Sequence, residues 1–329
     1  MSAFAPTIEA FFTERLITQC RVSPSTVESY RDTLRLLFVF AEERLGKAPS
    51  SLDVTDVDYH LVSSFLSHLE QDRGNAPRTR NTRLAAVHSL FRYAALRHPE
   101  HAGSIHRVLS IPSKRHDRRE VNYLELDEVD ALLAAPDTAT WLGRRDHALL
   151  TLAVQTGLRV SELTRLDCGD VELGRGAYVH CHGKGRKERS TPLIKVTVKV
   201  LGLWMKERAG QPLQPLFPTL RGTRLSPDAV QWLVAKHADT AGRSCLSMAQ
   251  KTISPHVLRH TCAMNLLHSG VDVAVIALWL GHESTQTTQM YLHADMGIKE
   301  RAIARTAPPH TKPGRYRPPD RLLAFLDGL

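Results

Sequence analysis

Cysteine is scarce and scattered in this sequence. The five residues, Cys20, Cys168, Cys181, Cys245 and Cys262, show no C-x-x-C spacing, which argues against a thiolate zinc site and a disulfide framework and predicts reduced, mostly buried thiols. No run reaches the roughly 18 apolar residues of a membrane span, and the N-terminus lacks the charged-then-apolar pattern of a signal peptide. A cytoplasmic protein without a membrane partner is therefore expected. Internal repeats and low-complexity tracts are missing as well, which argues against solenoids and disordered arrays. Acidic charge is in deficit: 34 Asp and Glu face 43 Lys and Arg, for a formal charge of +9. With no amphipathic or lipid-anchor signal beside it, that surplus points to a polyanionic partner, nucleic acid before membrane.

What is present suits two globular domains, since 329 residues with 42% hydrophobic and 23% charged can bury more than one core. The segment "SPSTVESYRDTLRLLFVFAEERLG" opens with Ser25 and Glu28 at capping-box spacing and carries Val27, Tyr30, Leu34, Leu37, Phe38 and Ala41 at helical intervals. A second helix is predicted over 57–70, with Val62, Phe65, Leu66 and Leu69 inside, and a third over 80–97, with Leu84, Val87, Leu90, Phe91 and Ala94 inside. These helices make a first, helical domain over 1–109. The third helix and its approach carry Arg78, Arg80, Arg83, Arg92 and Arg97 without acidic partners at helical spacing, a pattern that reads as a phosphate-contacting face.

The stretch 110–122, "SIPSKRHDRREVN", is charged and nearly free of apolar residues and reads as a linker. A second domain is expected over 123–300, with helices near 127–135, 144–155, 194–208, 226–237, 256–269 and 273–280. In "AYVHCHGKGRKERSTPL" two β-prone arms flank Gly183-Lys184-Gly185, as in a hairpin with Lys184 at its tip. The fold class is mainly α with a small β-hairpin or sheet.

Three further short segments stand out. In "TGLRVSEL" the glycine at 157 ends one helix and Ser161 and Glu162 favour the start of the next, so Arg159 sits on a rigid corner. A guanidinium so held suits bidentate phosphate recognition, or else pairs with a nearby carboxylate. "SPHVLRH" puts His256 and Arg259 on one face at a helix start, where the helix dipole favours an anion. His256 and His260 also have the spacing of the zinc motif H-E-x-x-H, but Val257 stands where that motif needs its glutamate, so no metal is assigned. "GHESTQTTQMYLH" then offers His282 and Tyr291.

In order and spacing, "TGLRVSEL", "HGKGRKERSTPL", "SPHVLRH" and "LGHESTQTTQMYLH" resemble the tyrosine recombinases of the phage-integrase family, and the helical domain before them resembles that family's core-binding, SAM-like domain. The resemblance extends to about residue 300. It implies a core-binding and a catalytic domain closing as a C-clamp on DNA, with Arg159 and Arg259 as the phosphate-clamping arginines, Lys184 as the hairpin lysine, His256 and His282 as the two histidines and Tyr291 as the nucleophile. It also implies site-specific recombination through a 3′-phosphotyrosyl intermediate and a Holliday junction. The partners would be double-stranded DNA and a homo- or hetero-tetramer of protomers, with no cofactor. With no further DNA-binding domain expected ahead of the helical one, the likeness is to Xer-type or transposon recombinases.

The chemistry fits these residue types. Two guanidiniums gripping the non-bridging oxygens stabilise the charge that builds up during displacement at phosphorus. Tyrosine, with an ordinary pKa of about 10, must lose its proton near the cations, with His256 assisting, before it attacks. Lys184 is placed to protonate the leaving 5′ oxygen, and His282 to donate a hydrogen bond to the phosphate. A type IB topoisomerase would use the same nucleophile and clamp, and a non-catalytic DNA-binding protein would have no use for the tyrosine. Finally, "RLLAFLDGL" at 321–329 carries Leu322, Leu323, Phe325 and Leu326 on one helical stripe within a tail over 301–329. Such a stripe needs a surface to cover it, on its own catalytic domain or a neighbour's, and the family resemblance implies docking on the neighbouring protomer.

Overall fold

The computed structural model describes residues 4–115, 121–182 and 188–282, together with Thr288 and Tyr291. It divides into two compact units, Met1–Arg119 and Glu120–Leu329. The tail helix expected over 321–329 lies outside the described residues, as do Lys184 and the hairpin tip.

The first unit is helical. Helix α1 (Phe4–Ala10) runs on into a π-helical stretch over Phe11–Gln19, followed by α2 (Pro24–Leu45), α3 (Tyr59–Gln71), α4 (Pro77–Arg97) and α5 (Ala102–Leu109). The cap of α2 is Ser23 rather than Ser25: its hydroxyl accepts from the Thr26 amide, and Pro24 takes the first helical position, where its missing N–H is no loss. Asp58 caps α3 in the same way. The expected apolar stripes of α2, α3 and α4 meet in one core, which also takes Phe4 and Phe11 from the N-terminal helices. Phe4 packs edge-on against Phe38 and Phe91, at centroid distances of 6.3 and 5.9 Å, so the first helix is part of the core rather than an appendage.

Arg80 departs from the predicted arginine face. It falls one turn before Leu84 on the stripe that continues through Val87 and Phe91, and it is buried, with Nη1 donating to the Pro112 carbonyl at 2.8 Å. Asn81 binds the backbone of Lys114, and Ile111 is buried in the same core, so residues 111–114 pack along α4 instead of hanging free. Arg78 and Arg92 are exposed, and Arg83 is half-buried near the Thr33 hydroxyl. Arg97 pairs with Glu14, an acidic partner supplied by the π-helical stretch and invisible to helical spacing.

The second unit opens with α6 (Leu126–Ala134), α7 (Trp141–Thr156) and the short α8 (Val160–Leu163). A three-stranded antiparallel sheet follows, β1 (Val171–Glu172), β2 (Tyr178–His182) and β3 (Glu188–Pro192), in the order β1-β2-β3, with Cys181 opposite Arg189. Helices α9 (Lys195–Arg208), α10 (Pro227–Gly242), α11 (Pro255–His268) and α12 (Val273–Leu280) complete it. Helix α7 lies at the centre, packed against α9 and α11, and contributes Leu149, Leu152 and Ala153 to the main core. A smaller apolar cluster gathers Cys262, Met264, Leu267, Ile276, Leu280 and the ring of Tyr291. The five cysteines form no disulfide, and Cys168, Cys181 and Cys262 are buried. Among the described residues no helix is long and apolar enough to cross a membrane.

Candidate active site

The corner bearing Arg159 is built as its sequence dictates. Helix α7 stops at Gly157, whose φ of +62° is a left-handed cap that a side chain resists. A Cβ there would also approach Leu280 Cδ2 to 2.7 Å, so the glycine lets the turn lie against the end of α12. Arg159 is the N-cap of α8, and Glu162 reaches back to accept from its amide at 2.8 Å. Both readings of the arginine then meet in one geometry. Its Nη1 donates to Glu162 Oε1 at 3.0 Å and its Nη2 to the Gly281 carbonyl at 2.9 Å, while the side chain keeps 36% exposure on which a ligand can act.

Arg259 approaches the same place from the start of the second turn of α11, whose cap is Ser254 and first residue Pro255. It is buried, with Nη1 on the Gly157 carbonyl at 2.7 Å and Nη2 on the Leu280 carbonyl at 2.6 Å. Two carbonyls are a partial counter-charge only. Burial, and then the neighbouring Arg159 cation, lower its pKa to about 10, which still leaves it charged at neutral pH. The two guanidiniums thus share the turn after α12, Arg159 through Gly281 and Arg259 through Leu280, and Arg259 alone also holds the cap of α7.

A buried carboxylate holds the cluster together. Glu162 accepts from Arg189 with both oxygens, at 2.9 and 2.8 Å, and from Arg159. Burial pushes this carboxyl upward, but the Arg189 fork and the Arg159 amide outweigh it and hold the group below the usual carboxylate range. Arg189 also donates through Nε to the Trp279 carbonyl at 3.1 Å. Gly281, at φ +64°, is required beside it, because a Cβ would come within 2.7 Å of Arg189 Nη1. Neither Glu162 nor Arg189 is among the residues that the sequence reading assigned to the site. One signal was available: Arg189 shares its strand face with buried Thr191, so it points inward and needs an acid.

The histidines divide by burial. His282 follows α12, and its Nδ1 lies 2.7 Å from the Thr288 hydroxyl. Burial, then the cations Arg259, Arg159 and Arg189, lower its pKa to about 4, so the ring is neutral near pH 7. That bond occupies Nδ1 and leaves Nε2 as the ring nitrogen available to a ligand. His256 is exposed on the first turn of α11, its ring edge-on to His260 at a centroid distance of 4.3 Å. His260, weighed in the sequence only as a zinc ligand, is the residue whose Nδ1 lies 2.9 Å from the Tyr291 hydroxyl. Tyr291 itself is 1% exposed, and burial raises its pKa to about 12 against the pull of Arg259.

Residues 122–297 match the model of the phage integrase family, and residues 9–98 match its N-terminal SAM-like domain. The chain belongs to the phage integrase family of tyrosine recombinases. It is 53% identical over 328 residues to the protein named integrase/recombinase y4rC of Sinorhizobium fredii (strain NBRC 101917 / NGR234), covering 100% of this chain and 99% of that one. It is 32% identical over 299 residues to the tyrosine recombinase XerC of Pelotomaculum thermopropionicum, covering 88% and 94%. In fold it is similar to the integrase of transposon Tn1549 in complex with transposon right-end DNA, with a TM-score of 0.69 at 16% identity over 89% of this chain and 96% of that one. The recombinase is accordingly a DNA breaking and rejoining enzyme of site-specific recombination, and neither the topoisomerase nor the non-catalytic reading is favoured.

Proposed function

We propose that Tyr291 is the nucleophile of this recombinase and that Arg159 and Arg259 clamp the scissile phosphate. The observation that carries the reading is the tethering of both guanidiniums to the turn after α12, Arg159 at Gly281 and Arg259 at Leu280, with Arg259 also on the Gly157 carbonyl, beside the apolar cluster that holds the Tyr291 ring. Arginines so fixed need no reorganisation when charge builds up on the phosphate oxygens, which is where preorganised donors lower a barrier most. His282, neutral and anchored through Nδ1 by Thr288, would give the phosphate a further hydrogen bond from Nε2. His256, exposed and edge-on to His260, is the second histidine of the set, and Lys184, by family resemblance, protonates the leaving 5′ oxygen.

The substrate is double-stranded DNA, a reading supported by the complex of the Tn1549 integrase with transposon right-end DNA, with Arg78 and Arg92 of α4 offering exposed cations to its backbone. Recombination at two paired sites calls for four protomers, of this chain alone or with a second recombinase, acting where the cell keeps its DNA. Replacing Tyr291 with Phe removes only the attacking oxygen. Covalent protein–DNA adduct, read on a denaturing gel with DNA carrying the site recovered from wild-type trapped complexes, should vanish while site binding changes little. Normal adduct formation by the Phe variant would mean that another residue attacks.

A further inference from the structure

The hydroxyl of Tyr291 and the imidazole of His260 face each other inside the second unit, with neither group exposed beyond 8%. His260 follows Arg259 directly on α11, so the turn that delivers a guanidinium to the phosphate also fixes this ring against the nucleophile. A buried hydroxyl and a buried imidazole would satisfy one another in any core. Here, however, the hydroxyl is the atom that attacks, and its partner can exchange a proton. We propose that His260 is the general base of the cleavage step: its Nδ1 accepts the proton of Tyr291 Oη as that oxygen bonds to phosphorus. The inference rests on Tyr291 being the nucleophile.

The proton balance is complete. The Oη–H bond breaks and an Nδ1–H bond forms; the Oη–P bond forms and the bond from phosphorus to the 5′ oxygen breaks; that oxygen leaves with the proton of the general acid, assigned above to Lys184. The imidazolium on His260 carries the proton until religation, which returns it to Oη. His256, exposed and with its ring 4.3 Å away, is the adjoining group able to exchange that proton with water.

The resting electrostatics suit a base that acts only during attack. Burial, then His256 and Arg259, lower the pKa of His260 to about 4, so at neutral pH the ring is uncharged and has one nitrogen free to take a proton, while burial keeps the phenol intact. No phenoxide need form in advance, because the oxygen becomes strongly acidic as its bond to phosphorus develops.

Asparagine at 260 places an acceptor near the position of Nδ1 but cannot carry a proton. His260→Asn should therefore lose 10²-fold or more in single-turnover adduct formation, the usual scale of a missing general base, with half-site binding and melting temperature retained. A site with sulfur as the bridging 5′ atom has a leaving group that needs no proton. On that DNA the His260→Asn defect should persist while that of Lys184→Ala is relieved. Wild-type cleavage by the Asn variant would overturn the proposal, and relief of its defect by sulfur would move His260 to the leaving-group side. Should His260→Asn fail to fold, ¹⁵N spectra of the imidazoles in the wild-type protein decide the matter. An unprotonated Nδ1 whose shift moves in Tyr291→Phe upholds the base, and a protonated Nδ1 overturns it. Adduct formation by Tyr291→Phe would instead sink the assignment of the nucleophile, leaving a different and recognisable failure.

Discussion

The two units hold themselves together by different means. The first is packed around phenylalanines and leucines, with Phe4, Phe11, Phe65 and Phe91 almost wholly enclosed. The second has an apolar core too, but threads charge through it: Glu162 with Arg189 and Arg159, Arg259 on two carbonyls, and Asp146 between Arg145 and His237 at 2.7 and 2.9 Å. An apolar contact tolerates a small shift of its partners, whereas a buried charge whose partner is removed loses most of what offset its desolvation. The unit that reads as a DNA-binding scaffold is therefore the robust one, and the unit that does chemistry is the one whose interior is sensitive to single polar changes.

The sharpest way to break this contrast is Arg259→Ala. It removes the donor proposed for the phosphate and leaves the Gly157 and Leu280 carbonyls without their partner, so cleavage should slow by at least about 10²-fold, the usual cost of a lost transition-state donor. Adduct formation under single-turnover conditions measures it. A loss of less than about tenfold would mean that Arg159 suffices alone.

Phe91→Ala tests the other side. Opening a cavity in the first core should cost about 3–5 kcal/mol in denaturant unfolding followed by circular dichroism. The four tryptophans, Trp141, Trp204, Trp232 and Trp279, all belong to the second unit, so their fluorescence transition should move far less than the helical signal. Coincident shifts of both probes would show that the units unfold as one.

Acid should separate the units next. His260 and His282 have folded pKa values of about 4 against an ordinary value of about 6.5. Between these values the unfolded chain binds protons that the folded one refuses, so stability falls as pH drops from about 6.5 to about 4. The depressed carboxyl of Glu162 acts in the same direction at lower pH, since its contribution is lost as pH falls through its folded value. The tryptophan melting temperature should decline through this window, and in His260→Asn it should decline less. A flat profile would remove the electrostatic account of the site.

The smallest expected effect concerns the outer face of α4. Changing Arg78 and Arg92 to Ala should weaken DNA binding modestly, lower the slope of log affinity against log salt by about 2, and leave the melting temperature unaltered. Arg80→Ala should do the reverse, lowering stability through the lost bond to Pro112 with little change in salt slope.

What could be read from the chain alone was what depends on neighbours within a turn or two. The stripes of α2, α3 and α4, the two hairpin arms, the glycine at 157 and the caps follow from side-chain period and local hydrogen bonding, which act over three or four residues. Even there Ser23 displaced Ser25, because proline at the next position preorganises the first turn. The Arg80 misreading was also local in origin: its place on the Leu84–Phe91 stripe was visible, but charge counted for more than period. Only the tertiary structure decided who bonds whom. Arg189 finds Glu162 across 27 residues of chain, Arg259 finds Gly157 across 102, and His260 finds Tyr291 across 31. Nothing periodic links such pairs. The direction of each bond is set by how α7, α11 and α12 pack, so the residue types of the site were present in the sequence while the choice between His256 and His260 as the tyrosine's partner belonged to the folded core.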